Sequence, residues 1–260
     1  MTSQLLVLGA SLMDAGNISR ASDGMVLGEQ IAAAMGADPG SQQLVSLVNR
    51  DRPGPEQVHN YAHGGAESGK GPVLNSFRTG FLAQVKAVRR HRRFYRQLPD
   101  VDVLISAGAN DVLGLLEQPL TADLEDRRLV HSTARRISRN LRRGIDRLTG
   151  LVDEIAVVGA FPLIDTPLLQ EQLSELEPPD AERLASVVNG IGRSVQRRLE
   201  RHFSDSSSVV VLDLQRQWNR LAAPSFIDAV HPSSATTVEL APLIVEELHA
   251  TLDSFGFSAG

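Results

Sequence analysis

A serine stands just past an apolar run near the start of the chain, and an aspartate and a histidine stand three residues apart near its end. Ser11 follows Gln4-Leu5-Leu6-Val7-Leu8 and Gly9-Ala10, and the second stretch reads Asp228-Ala229-Val230-His231-Pro232. A serine hydroxyl is a poor nucleophile until a base takes its proton. Of the seven histidines, His231 alone has an aspartate three residues earlier and a proline directly after. In a tight turn that spacing brings the Asp228 carboxylate to one ring nitrogen while the other faces the serine, fixing the tautomer and stabilising the imidazolium. The same residues have plainer uses. A serine after a strand caps a helix or forms a turn, and a loop histidine caps the helix that follows.

These residues need elements to hold them. The run Gln4 to Leu8 reads as a buried parallel strand, and ligands of open α/β sheets lie outside the carboxyl ends of such strands. Met25 to Met35 has helical spacing, with Gly36 as its stop. Leu44 to Val48 reads as a short second strand and Asn49 to Glu56 as a surface loop. Phe77 to Tyr95 is expected to be an amphipathic helix. Val101 to Ser106 is the next strand, and Thr121 to Val152 a long helix broken near Gly144. Glu154 to Ala160 is a strand, followed by a proline-rich turn from Phe161 to Pro167. Pro178 to Phe203 opens on prolines suited to a helix start. Val209 to Asp213 is the last strand, Gln215 to Ala223 a short helix and Ser233 to Leu252 the final one. Strands alternate with helices throughout, as in a three-layer α/β/α sandwich with a mainly parallel central sheet, in a single domain over residues 1–260.

Two further stretches carry polar and glycine residues at strand ends: Asn60-Tyr61-Ala62-His63-Gly64-Gly65-Ala66 and Gly108-Ala109-Asn110-Asp111. Paired glycines suit backbone that must approach a ligand, and they also suit a plain turn. Glu67 to Pro72 extends this as a Gly-rich wall for a cleft. With Gly9-Ala10-Ser11-Leu12-Met13-Asp14-Ala15-Gly16-Asn17 and the Asp228 stretch, they form four ordered blocks that resemble those of the SGNH (GDSL) hydrolases, from about residue 4 to about residue 248. The branch most similar is the GDSL-type esterase/lipase one.

The resemblance implies a flavodoxin-like sandwich and a serine esterase working through Ser11, His231 and Asp228. It implies an oxyanion hole from the Ser11 N–H, the Gly65 N–H and the Asn110 side chain, with Gly64 close enough to compete. Asp14, Asn17, Asn60 and Asp111 match family positions that tie the loops together, and His63, inside the glycine block, is read as a plain loop residue, with contact to substrate as the alternative. The family's aspartate before the serine is Ala10 here, which puts the hydrogen bonding of the serine loop in question. The alternatives are an acyltransferase to a sugar or alcohol, and a non-catalytic member that binds a lipid, a carbohydrate or a protein.

Composition narrows the chemistry. The 260 residues are 42% apolar and 22% charged, ordinary globular values. With no cysteine, disulfides, thiolate metal sites and cysteine nucleophiles are excluded. The net charge of −5 argues against general nucleic-acid binding. No G-x-S-x-G surrounds Ser11, no G-x-G-x-x-G follows the first strand and no H-E-x-x-H occurs. A carboxylate metal site from Asp14, Asp111 and Asp228 is conceivable, and the expectation is that neither metal nor cofactor is needed. No apolar run reaches the roughly 18 residues of a membrane span. The core begins within a few residues of Met1, so the expected location is cytoplasmic, or secreted or periplasmic if a leader has been removed. The expected substrate is a small-molecule or lipid acyl ester. The arginine-rich helix faces Lys86 to Arg96 and Arg135 to Arg143 read as solvated surface, the first with the alternative of a patch for anionic headgroups or an acidic carrier protein.

Overall fold

The structure, a computed structural model, describes residues 4–18, 20–38, 40–47, 53–54, 56–71, 73–74, 77–98, 100–116 and 126–254. At its centre runs β1 (Gln4–Gly9), whose Leu5, Leu6, Val7 and Leu8 are all buried. Helices cover both faces of a parallel sheet, so its central strands are apolar without alternation. In chain order follow α1 (Leu27–Ala34), β2 (Gln42–Leu44), β3 (Val58–Asn60), the small antiparallel pair β4 (Val73–Leu74) and β5 (Phe77–Arg78), α2 (Phe81–Arg90), α3 (Arg92–Tyr95), β6 (Val101–Ser106), α4 (Ala109–Leu116) and α5 (Asp126–Leu148). Then come β7 (Glu154–Val158), a 3-10 turn (Leu163–Asp165), α6 (Pro167–Ser174), α7 (Pro178–Phe203), β8 (Val209–Leu212), α8 (Leu214–Trp218) and α9 (Ser234–Ser254).

The main sheet is six-stranded and parallel, in the order β2-β3-β1-β6-β7-β8. The connections from β3 to β6, β6 to β7 and β7 to β8 all move the same way across it. Right-handed crossovers therefore put α2, α5 and α7 on one face. The connection from β1 to β2 moves the other way and puts α1 on the opposite face, where α9 joins it. The packing agrees: α5 lies against α2 and α7, and α1 against α9. The expected three-layer α/β/α sandwich is the fold.

Several elements differ in detail from the sequence expectation. The second strand is Gln42–Leu44, just before the apolar Val45 and Leu47. It is an edge strand, so its outer side tolerates glutamines. β3 went unread because His59 and Asn60 are polar, yet both are fully buried. The Phe77 helix starts at Phe81, since residues 77–78 pair in β5, and it breaks at His91. Residues 49–52, most of the expected surface loop, and residues 121–125, the expected start of the long helix, lie outside the described residues. Asp213 caps α8 rather than ending β8, α8 stops at Trp218, and α6 was not foreseen.

The expected break at Gly144 is absent: α5 runs through it unbroken. A Cβ there would stand 2.2 Å from Cε1 of the buried Phe81 on α2. The glycine is a packing notch between two helices, not a hinge.

Under α2 and α3 lies a buried polar chain. His59 Nε2 reaches the Gly54 carbonyl (3.3 Å), Tyr95 reaches His59 Nδ1 (3.2 Å), Tyr61 reaches Tyr95 (2.6 Å) and His91 Nδ1 reaches Tyr61 (2.8 Å). Because a carbonyl only accepts, one direction satisfies every link: His59 donates to Gly54, Tyr95 to His59, Tyr61 to Tyr95 and His91 to Tyr61. Burial pushes the His59 ring down to about 4, against the raising effect of the Gly54 carbonyl.

Two outcomes follow from this packing. Gly144→Ala should lower stability in urea unfolding by roughly 1–3 kcal/mol through overpacking, outweighing the ~1 kcal/mol gain in helix propensity. Phe81→Leu in the same chain should recover part of the loss; a Gly144→Ala protein as stable as its parent would contradict the notch. The second concerns acid. A histidine whose folded value lies below its unfolded 6.5 leaves stability unaffected above 6.5 and lowers it as pH falls from there towards about 4. His59 alone should contribute roughly 3 kcal/mol to that loss. His59→Gln should flatten the slope of unfolding free energy between pH 6.5 and 4; an unchanged slope would contradict the assignment.

Candidate active site

The serine is presented by a close approach of two strands. Gly9 ends β1 at φ 144°, and a Cβ there would lie 2.0 Å from the Ser106 carbonyl oxygen. Only glycine lets β1 and β6 meet this closely at the sheet's carboxyl edge. Gln84 on α2, fully buried, clamps the same residue: its Oε1 accepts from the Gly9 N–H (2.8 Å), and its Nε2 donates to the carbonyls of Gly9 (2.8 Å) and Thr79 (2.9 Å). The Ala10 N–H donates to Ser106 (3.1 Å), and the Ala10 carbonyl accepts from Met13 and Asp14, closing the turn that exposes Ser11.

The place of the missing family aspartate is thus held by backbone bonds, and the loop's carboxylate is Asp14. Fully buried, it accepts from the N–H groups of Gly16, Asn17 and Ile18, and from Gly64 across the site at 2.7 Å. Asn17 donates to the carbonyls of Asn60 and Ala62 (both 2.9 Å). Asn60 donates to Met13 (2.7 Å) and accepts from Ala62 (2.9 Å). Asp111 accepts from the N–H and hydroxyl of Ser68 (2.6 and 3.0 Å), with Arg136 at 3.4 Å. Asp14, Asn17 and Asn60 thus bond between the serine loop and the Asn60 stretch, and Asp111 bonds α4 to Ser68.

His231 arrives from the other end of the chain. An antiparallel bridge between Phe226 and Pro232 closes a small loop before α9, and the Ile227 N–H donates to the His231 carbonyl (2.9 Å). At its tip, Asp228 Oδ1 accepts from the N–H groups of Val230 (2.8 Å) and His231 (2.7 Å), and Oδ2 pairs with His231 Nδ1 at 2.7 Å. His231 Nε2 lies 2.8 Å from Ser11 Oγ. Partial burial raises the Asp228 carboxyl, but its hydrogen bonds from Val230 and His231 outweigh this, and the net displacement is downward. It therefore stays ionised to a lower pH than an ordinary aspartate does. The helix cap is made elsewhere: Ser233 Oγ accepts from the Thr236 N–H (3.2 Å), and Asp23 accepts from that of Ser234 (2.7 Å). His231 is not the capping residue.

Facing Ser11 are donors in want of an acceptor. Among the described residues, neither the Ser11 N–H nor the Gly65 N–H has a partner. The Gly64 N–H is taken by Asp14, so of the two glycines it is Gly65 whose N–H has no partner among the described residues. Gly65 stands at φ 73° with open space where a Cβ would go, a conformation that a side chain rarely adopts. Asn110, in the first turn of α4, spends one Nδ2 hydrogen on the Ala66 carbonyl (3.0 Å) and keeps the second.

Ser11, Gly65, Asn110 and His231 line one cavity of about 240 Å³, walled mainly by apolar residues such as Leu12, Leu113 and Phe161. A larger cavity of about 690 Å³ adjoins it across Ala107, Ala109 and Phe161 and carries Asp165, Asn189, Arg193 and Arg197. His63 is buried with Nδ1 against the Tyr61 carbonyl (2.9 Å), behind the loop and not on the cavity wall. Among the described residues no three His, Asp or Glu side chains gather as a metal site, and Asp14, Asp111 and Asp228 each serve a different loop. Sequence reasoning missed Gln84 and Ser68. The signal for Gln84 was a polar residue on the apolar face of α2.

The chain matches the GDSL-like lipase/acylhydrolase family over residues 5–244. Among solved structures it is similar to the lipase Lip_vut3 from goat rumen metagenome (14% identity, TM-score 0.55, 96% of this chain and 97% of that one). It is also similar to TesA (16%, 0.50, 97% and 99%) and to a GDSL-like lipase of Bacteroides thetaiotaomicron (12%, 0.50, 96% and 89%). At these identities the likeness carries the fold alone. No curated protein matches the chain. The family match, spanning nearly the whole sequence and all four blocks, settles its membership: the chain belongs to the GDSL-like lipase/acylhydrolase family.

Proposed function

We propose that this protein is a serine esterase that hydrolyses carboxylic esters through an acyl-enzyme, without a cofactor. The reading rests on one observation, the continuous contact from Asp228 through the His231 ring to Ser11 Oγ, at 2.7 and 2.8 Å. Asp228 keeps the proton on Nδ1, which leaves the Nε2 lone pair towards the serine. Ser11 Oγ attacks the acyl carbon as His231 Nε2 takes its proton. The N–H groups of Ser11 and Gly65 and the second Asn110 hydrogen meet the oxyanion, each such donor being worth about 3 kcal/mol of barrier in enzymes of this chemistry. Nε2–H then protonates the leaving alkoxide. Water, deprotonated by the same nitrogen, attacks the acyl carbon, and the acid departs with Ser11 restored.

The cavity beside Ser11 is small and apolar, below the usual range of roughly 300–1,000 Å³ for ligand pockets, and suits a short or medium acyl chain. The larger cavity next to it, which carries Asp165, Asn189, Arg193 and Arg197, suits the alcohol portion.

Hydrolysis of a p-nitrophenyl ester series tests this. Ser11→Ala and His231→Ala should each lower kcat by roughly 10³-fold or more, and undiminished turnover in either refutes the assignment. Asp228→Asn should cost less, about 10²-fold, because its side chain is half exposed (49%) and water partly replaces it. Asn110→Ala should lower kcat by about 10²–10³-fold with KM little changed, as expected for a bond made only in the transition state. A rise in KM alone would place Asn110 outside the oxyanion hole.

A further inference from the structure

The net charge of −5 hides a strong division of charge across the sheet. Nineteen of the 26 Lys and Arg residues fall on α2, α3 with its following Arg96, α5 and α7, which carry only five of the 31 acids, a net of +14. The rest of the chain holds seven bases and 26 acids. The opposite helical layer, α1 and α9, has five acids and no base. The cations point outward. On α5 the buried positions include those of Ala134, Ile137, Leu141, Ile145 and Leu148, while Arg135, Arg139, Arg142 and Arg143 are exposed. On α2 and α3, Lys86, Arg89, Arg92 and Arg93 are exposed in the same way.

We propose that the α2–α5–α7 face docks on an anionic phospholipid surface. The cations are spread over a broad face rather than gathered in a pocket. α5 and α7, of 23 and 26 residues, are roughly 35–39 Å long and lie side by side. That shape matches a plane of phosphate headgroups, for which guanidinium forks are suited, and not a single anion. Among the described residues no exposed large apolar side chain lies on these helices, so contact is electrostatic adsorption without insertion. The acidic layer does not cancel it: that layer lies beyond the sheet, roughly 20 Å further out, about two Debye lengths at physiological salt. It instead orients the molecule, basic face inward. In that pose the carboxyl edge of the sheet stands beside the bilayer, and Arg193 and Arg197 on α7 reach from the basic face to the larger cavity next to Ser11. The proposal rests on the charge distribution and not on the triad.

The test is cosedimentation with vesicles of phosphatidylcholine alone and with about a third phosphatidylglycerol, at low salt and at about 0.5 M NaCl. The wild type should bind the anionic vesicles only, and lose them at high salt. The neutral triple variant Arg135→Gln, Arg139→Gln, Arg142→Gln should bind roughly a hundredfold more weakly and the triple Arg135→Glu, Arg139→Glu, Arg142→Glu more weakly still, with soluble-ester hydrolysis and circular dichroism unchanged in both. Absence of binding, equal binding to neutral vesicles, or undiminished binding by the Glu variant would overturn the proposal. So would tighter binding to duplex DNA than to vesicles, or salt-reversible oligomers that the Glu variant abolishes, which would assign the face to nucleic acid or to a second copy. Loss of ester hydrolysis in Ser11→Ala leaves vesicle binding intact, so the two readings fail separately.

Discussion

A single 2.8 Å contact, from His231 Nε2 to Ser11 Oγ, joins the end of the first strand to a loop just before the last helix, 220 residues apart in sequence. Neither partner can be placed by its own neighbours alone. Ser11 depends on Gly9 lying against Ser106, which needs β1 and β6 paired in register up to their last residues. His231 depends on the Phe226–Pro232 bridge and on α9 being seated against α1. The bond is therefore a readout of the whole sandwich. A shift of about 1 Å in either support would cost a reacting pair much of its advantage.

The support for the proposed nucleophile is built from buried polar groups in pairs. Asp14 gathers four backbone N–H groups from two loops, and Gln84 holds both backbone groups of Gly9 from the helix behind. Each is fully buried, so removal of either would strand donors or acceptors away from water, at about 1–3 kcal/mol for each group. Ala10, where the family has an aspartate, needs no side chain to fix the turn because its own backbone does so. The same economy separates the glycines: Asp14 occupies Gly64 and leaves Gly65 open.

What the sequence made legible was local. Asp228 and His231 stand out by their spacing of three, Ser11 and the site as a whole only through the four ordered blocks that resemble the family, and the apolar runs of β1 and β6 and the helical spacing of α7 are long enough to read. What stayed hidden depended on partners far along the chain. β3 reads as polar because His59 and Asn60 find their hydrogen bonds in Tyr95, Gly54 and Met13. Gly144 reads as a helix breaker until Phe81 is seen beside it. Gln84 reads as an interruption of an apolar stripe until Gly9 is opposite. The arginine faces were visible helix by helix, but their sum became a single face only once the crossovers had put α2, α5 and α7 on one side.

The proposed activation of Ser11 by His231 is tested most directly by the rate of labelling with a fluorophosphonate, followed by intact-mass and peptide mapping, because the reagent reports nucleophilicity without needing the right ester. The wild type should take up one adduct, on Ser11, and His231→Ala should slow that reaction by roughly 10³-fold while the fold is retained. Labelling of Ser11 at an equal rate in the two proteins, or an adduct on a different residue, would contradict the coupling on which the account depends.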